Sequence, residues 1–95
     1  MDNKTISFNK KINGQLAAEL GALIIEDGSV LVLNHLMVNP AFEENAEELE
    51  DDLVGQALAF AQEHTLKIWP LGPLARKAFF KRKDGQAYLY HKDEK

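Results

Sequence analysis

The sequence predicts an α/β domain built on a mixed sheet, and three stretches carry that reading. SVLVLNHLMV, residues 29 to 38, is a nearly unbroken apolar run of strand length. From Ala46 to His64, Leu49, Leu53, Ala57, Phe60 and Ala61 recur at helical spacing, with Val54 and Leu58 widening the stripe. LKIWP, residues 66 to 70, reads as a short buried strand. A helix between two such strands points to a right-handed parallel crossover.

The remaining elements follow in chain order. TISFNKK, residues 5 to 11, alternates Ile6 and Phe8 with polar neighbours, and Asn13-Gly14 is a hairpin signal, so a short first strand is expected. QLAAELGALIIED, residues 15 to 27, is open to two readings. Leu16, Leu20 and Leu23 suit a helix, whereas Gly21, the β-branched Ile24 and Ile25 and the turn Glu26-Asp27-Gly28-Ser29 favour a strand paired with residues 29 to 38. That last strand is expected to be covered on both faces. Asn39-Pro40 stops it. Gly72-Pro73 opens a short second helix, PLARKAFFKR, with Leu74, Ala78 and Phe79 inward, and Asp84-Gly85 ends it. QAYLYHK, residues 86 to 92, alternates as a last strand.

Bulk properties bound the function. The 95 residues form a single domain, 1 to 95, with room for one two-layer core. The chain has no cysteine, which excludes disulfides, thiolate zinc ligands and thiol catalysis. MDNKTISFNKK has no apolar signal region, and no apolar run approaches the length of about 18 residues needed to span a bilayer. A soluble, cytoplasmic protein with no membrane partner is the expectation. Net charge is −4, which argues against a general nucleic-acid partner.

The charge is unevenly placed. EENAEELEDD, residues 43 to 52, holds seven acids and no base, whereas from Leu66 onward eight basic residues stand against three acids. Four readings of the acidic run are open: a dipole-favoured helix start, an acidic surface for a partner, a divalent-cation site or an altered ligand site. The spacing lacks the order of a calcium-binding loop, and the three histidines are scattered, so no metal is expected. His35 is the candidate general base, with a hydrogen-bonded rim role as its alternative. His64 suits a helix C-terminus. Trp69, Phe79 and Phe80 read as core aromatics, or as a ligand wall. Tyr88 and Tyr90 share a strand face and are candidate acids. Arg76, Lys77, Lys81, Arg82 and Lys83 form either a solvated face or a contact for phosphates or an acidic partner.

Several strings in this order resemble the GNAT (N-acetyltransferase) superfamily, in particular its small single-domain YjdJ-like members. The resemblance spans about residues 14 to 90. It rests on Asn34-His35-Leu36-Met37-Val38 at the end of a strand, Ala61-Gln62-Glu63-His64-Thr65-Leu66-Lys67-Ile68 at the end of a helix, and Trp69-Pro70-Leu71-Gly72-Pro73-Leu74 as a turn before a short helix. The resemblance implies a GNAT-like mixed sheet with a long helix and a short C-terminal helix. It also implies transfer of an acetyl group from acetyl-CoA to an amine. By position, Val38, the helix start Glu47, Glu48, Leu49 and Glu50, and Gly72 would border the acyl donor. In the family a glycine-rich loop at that helix start holds the pyrophosphate on backbone N–H groups. Here the sequence is AEELE, residues 46 to 50, with about two extra residues before it, and Gly72 stands where a cysteine is common. Carboxylates at a phosphate site repel the ligand, by roughly 4 kcal/mol for charges about 4 Å apart before exposure and salt weaken it. The alternative expectation is a non-catalytic GNAT-fold protein that binds a protein partner through its acidic or basic surface.

Overall fold

Two strands, β1 (Lys4–Ile12) and β2 (Gln15–Ile25), open the chain as an antiparallel hairpin. Its turn is Asn13-Gly14, with φ of 52° and 81°, the left-handed pair that a tight two-residue hairpin requires. The structure is a computed structural model and describes residues 4–25 and 29–90. β3 (Val30–Val38) pairs antiparallel with β2, and β4 (Lys67–Pro70) pairs in parallel with β3, giving the order β1-β2-β3-β4. The ambiguous second segment is therefore a strand as far as Ile25; residues 26 to 28 lie outside the described residues.

Between β3 and β4 the chain forms α1 (Ala46–His64), and β4 leads into α2 (Pro73–Lys81). α1 buries Leu49, Leu53, Val54, Ala57, Leu58 and Ala61, and α2 buries Ala75, Ala78 and Phe79. Both helices join one core with Leu20, Leu31, Leu33 and Ile68, so they lie side by side on the same face of the sheet. Along β3, Leu31 and Leu33 point to that core. Val30 and Val32 point the other way and are buried as well, beside their cross-strand neighbours Ile25, Leu23 and Trp69. This explains the unbroken apolar run.

The second half of β3 breaks the alternation. Ala22 pairs with Leu33 but Gly21 pairs with His35, which leaves Asn34 as an extra residue, a β-bulge. The bulge shifts the register by one. Leu33 and Leu36, three apart, both reach the core, and His35 turns to the helix-free face.

Some expectations need correction. Leu74, expected on the inner face of the second helix, is 50% exposed, and Ala75 takes the core position beside Ala78 and Phe79. Cover on both faces of residues 29 to 38 stops at Leu33, beyond which Asn34, His35 and Met37 are exposed. The last strand is absent from residues 86 to 90: Gln86–Tyr88 is a turn of 3-10 helix, and only Leu89 bridges to Ile68. Adjacent Tyr88 and Leu89 both pack on the core, which a strand, sending neighbours to opposite faces, does not permit. Residues 91 and 92 lie outside the described residues. The second helix stops at Lys81 rather than Arg82, whose extended backbone (φ −94°, ψ 134°) frees its side chain to cross to α1. The radius of gyration, 13.1 Å, is that of a compact domain of about 100 residues. Among the described residues no helix is long and apolar enough to cross a membrane.

Candidate functional site

The acidic run does not form a loop. Pro40–Asn45 is a short 3-10 helix, irregular at Phe42, and it runs straight into α1. Asn39 begins it. The Asn39 Oδ1 accepts from the Ala41 N–H at 3.0 Å, its Nδ2 donates to the Leu16 carbonyl at 2.9 Å, and its own N–H donates to the Ala17 carbonyl. Proline at the first helical position needs no such partner. The start of α1 is thereby pinned to β2. Its first donor, the Ala46 N–H, is taken up by the Glu43 carbonyl, and Glu47 and Glu48 stand in the first turn.

Three of the seven acids are spent within the molecule. Glu47 pairs with Lys81 of α2 at 3.2 Å, Asp51 with Arg82 at 2.9 Å, and Asp52 with Lys10 of β1 at 3.5 Å. Glu47 and Asp51 are one helical turn apart, so they face the same neighbour. Arg82 also pairs with Asp84, and that hydrogen bond is the main cause of a raised Arg82 pKa and a lowered Asp84 pKa. Glu43, Glu44, Glu48 and Glu50 have no ion-pair partner among the described residues.

A second feature lies where β3 and β4 part. Their ladder ends at Leu33–Pro70, and the Leu33 carbonyl accepts from both the Leu71 and Gly72 N–H groups at 3.0 Å. Beyond it, Asn34 is the bulge and His35 to Val38 pair with β2 alone. Gly72 is buried so tightly against the bulge that a Cβ there would collide with the Asn34 carbonyl oxygen. Glycine is required at this position by contact, not by dihedral angle, since its φ is −70°.

The residues singled out in the sequence divide between two sides of the sheet. Leu49 is in the core, Val38 packs half-buried at its rim, and Glu47, Glu48 and Glu50 line the first turns of α1. Gly72 sits at the start of α2. His35 is exposed on the face away from both helices, paired with Gly21, and is not brought together with the α1 start. His64 lies exposed in the last turn of α1, its ring 4.3 Å from that of Phe60. Trp69 and Tyr90 approach within 5.6 Å. Tyr88 packs on the core instead of sharing a face with Tyr90.

The outer face of α2 was legible only as a basic helix. The structure adds that Arg76 stacks over Phe80 at 5.2 Å, and that Leu71, Leu74 and Phe80 are 54%, 50% and 41% exposed. Pro73, Arg76, Lys77, Phe80 and Lys81 line a shallow depression of about 550 Å³. Among the described residues, no three His, Asp or Glu side chains come together as a metal would need.

The chain matches no protein-family model and no curated protein. The class defined by fold and site is a small mixed α/β domain, with a four-stranded sheet and two helices packed on one face.

Proposed function

We propose that the chain is a GNAT-like domain that works by binding a protein partner, not by transferring acetyl groups. The element order supports the GNAT-like part: three antiparallel strands, a long helix, a parallel strand and a short helix are what the sequence resemblance implies. The start of α1 supports the non-catalytic part. A pyrophosphate needs free N–H donors and close backbone approach at a helix N-terminus. Here the first donor is bonded to Glu43, glycine is missing, and Glu47, held by Lys81, stands in the first turn beside Glu48.

The second reading is acetyl-CoA-dependent transfer to an amine. It is favoured by the stretch Asn34 to Val38, free of β4 beside the Gly72 turn, where the resemblance puts the acyl donor. Direct attack of an amine on the thioester needs no cysteine. His35 would serve as base from the helix-free face.

Thermal unfolding with added acetyl-CoA separates the two. A ligand that binds only the folded state stabilises it by about 2.7 kcal/mol at a hundred times its Kd. The partner-binding reading expects no rise in Tm with acetyl-CoA or CoA up to millimolar concentration. A rise that grows with the logarithm of acetyl-CoA concentration would return the function to acetyl transfer.

A further inference from the structure

We infer that the outer face of α2 is a docking site for an acidic peptide segment carrying apolar side chains. The inference deepens the partner-binding reading and rests on it, because it chooses the basic helix over the acidic run as the surface used.

Apolar neighbours make the choice: both charged surfaces keep unpaired groups, but Leu71, Leu74 and Phe80 are exposed large hydrophobic side chains beside the basic helix, and among the described residues none of that kind lies on the acidic run. Lys81 at the end of α2 and Arg82 just beyond it are engaged by Glu47 and Asp51. Arg76 and Lys77, one turn earlier, have no acidic partner among the described residues, and Arg76 instead lies over the Phe80 ring. Leu71, Leu74 and Phe80 add exposed apolar surface around these cations. Pro73 and Phe80 are seven residues apart, so the face runs about 10 Å along the helix, the span of about three extended residues. A guanidinium fork held in place over an aromatic ring is suited to a carboxylate, which it can engage through two N–H groups. A partner that places Asp or Glu on Arg76 and Lys77, and Leu or Phe on Leu74 and Phe80, satisfies both halves of the surface.

Charge also decides against a membrane. Anionic bilayers extend in all directions, and the acids that begin α1 flank this face, tied to it through Glu47 and Lys81. Glu47, 3.2 Å from the Lys81 ammonium that lines the same depression, would be repelled by such a surface. A narrow peptide meets α2 alone.

The test is amide chemical-shift mapping of the whole chain with a short synthetic peptide alternating Glu with Leu and Phe. A peptide with Lys in place of Glu, vesicles of mixed phosphatidylserine and phosphatidylcholine, and CoA serve as rival probes. The inference expects shifts confined to residues 71 to 81, affinity weakened at least tenfold by Arg76→Glu with Lys77→Glu, and no change with Lys11→Glu on β1. Because Arg76 and Lys77 are exposed, their replacement should leave the fold intact, and the spectrum of each variant reports that it is folded. Shifts on another surface, equal binding of the Lys peptide, preferential binding of vesicles, or no binding at millimolar peptide would overturn the docking site. Acetyl-CoA or CoA shifting Asn34 to Val38 would instead overturn the partner-binding reading, whatever the peptide does.

Discussion

The guanidinium of Arg82 lies across the flank of α1, with Nη1 2.9 Å from Asp51 Oδ1 and 3.2 Å from the Asp51 carbonyl oxygen. It passes close over Gly55: a Cβ there would stand 3.3 Å from the same nitrogen, so the guanidinium would have to shift by a few tenths of an ångström. One side chain just beyond the end of α2 therefore bridges to α1. Replacing Arg82 with Gln is expected to cost about 1 kcal/mol through the lost contacts to Asp51, discounted for their partial exposure. Urea denaturation measures it, and an unchanged midpoint would show that the clamp is only a surface contact.

Arg82 also sets an acid-side dependence through Asp84. The hydrogen bond from Arg82 lowers the Asp84 pKa. A carboxylate with a lowered folded-state pKa contributes stability that is complete above its unfolded value of about 3.9 and disappears as pH falls through the folded value. Carboxyl-carbon chemical shifts should place the Asp84 midpoint below that of an ordinary aspartate, and Arg82→Gln should move it upward. The stability difference between the two proteins should narrow at the acid end of the titration, where the Arg82 bond to the Asp51 carbonyl still counts, and should be largest at neutral pH.

Gly72 and Gly14 test two separate reasons for glycine. Gly72→Ala forces a methyl group into the Asn34 carbonyl and pushes α2 away from the bulge, at a cost of about 2 to 3 kcal/mol. Amide exchange at Leu71 and Gly72, both bonded to the Leu33 carbonyl, should accelerate with it. Gly14→Ala meets no atom within 4 Å but must hold φ at 81°, and should lose only about 1 kcal/mol.

Thr65 ends α1 in the left-handed conformation (φ 57°, ψ 52°), with its N–H and that of Leu66 returning to the Gln62 and Ala61 carbonyls. A β-branched residue is strained there, and glycine is the residue that suits the position. Thr65→Gly should gain about 0.5 to 1 kcal/mol, part of the relief being offset by the larger entropy of glycine in the unfolded chain. Calorimetry should register a Tm higher by roughly 2 to 8 °C for a domain of this size.

Asn39 joins three elements, holding β2 through Leu16 and Ala17 and capping the 3-10 helix through Ala41. Asn39→Ala retains the backbone bond and loses both side-chain bonds, for an expected loss of about 1 to 2 kcal/mol. Asn39→Asp restores the cap to Ala41 but not the donor to Leu16, and should recover part of it.

Much of the fold was legible because it rests on local periodicity. The apolar spacing from Leu49 to Ala61 required a helix, Asn13-Gly14 required a tight hairpin, and the apolar run over residues 29 to 38 required a strand, whose two buried faces are found only from Val30 to Leu33. The last strand was misread because QAYLY is too short for its apolar pattern to separate a strand from a turn of 3-10 helix, and here adjacent Tyr88 and Leu89 both pack inward. The 3-10 helix at Pro40–Asn45 had a signal, a capping Asn followed by Pro, that served in the sequence only as a stop to β3. The bulge at Asn34 had none, since an extra residue becomes visible only against the partner strand.

The sequence by itself determined the type of most of the larger elements, the acidic helix start and the basic second helix, since these follow from side-chain chemistry and spacing along one chain. Tertiary structure alone decided which of those charges remain available. Glu47, Asp51 and Asp52 lie close in sequence but find partners 34, 31 and 42 residues away in Lys81, Arg82 and Lys10. Coulomb attraction acts through space over a few ångströms, and only the packing of α2 and β1 against α1 brings those charges within that range.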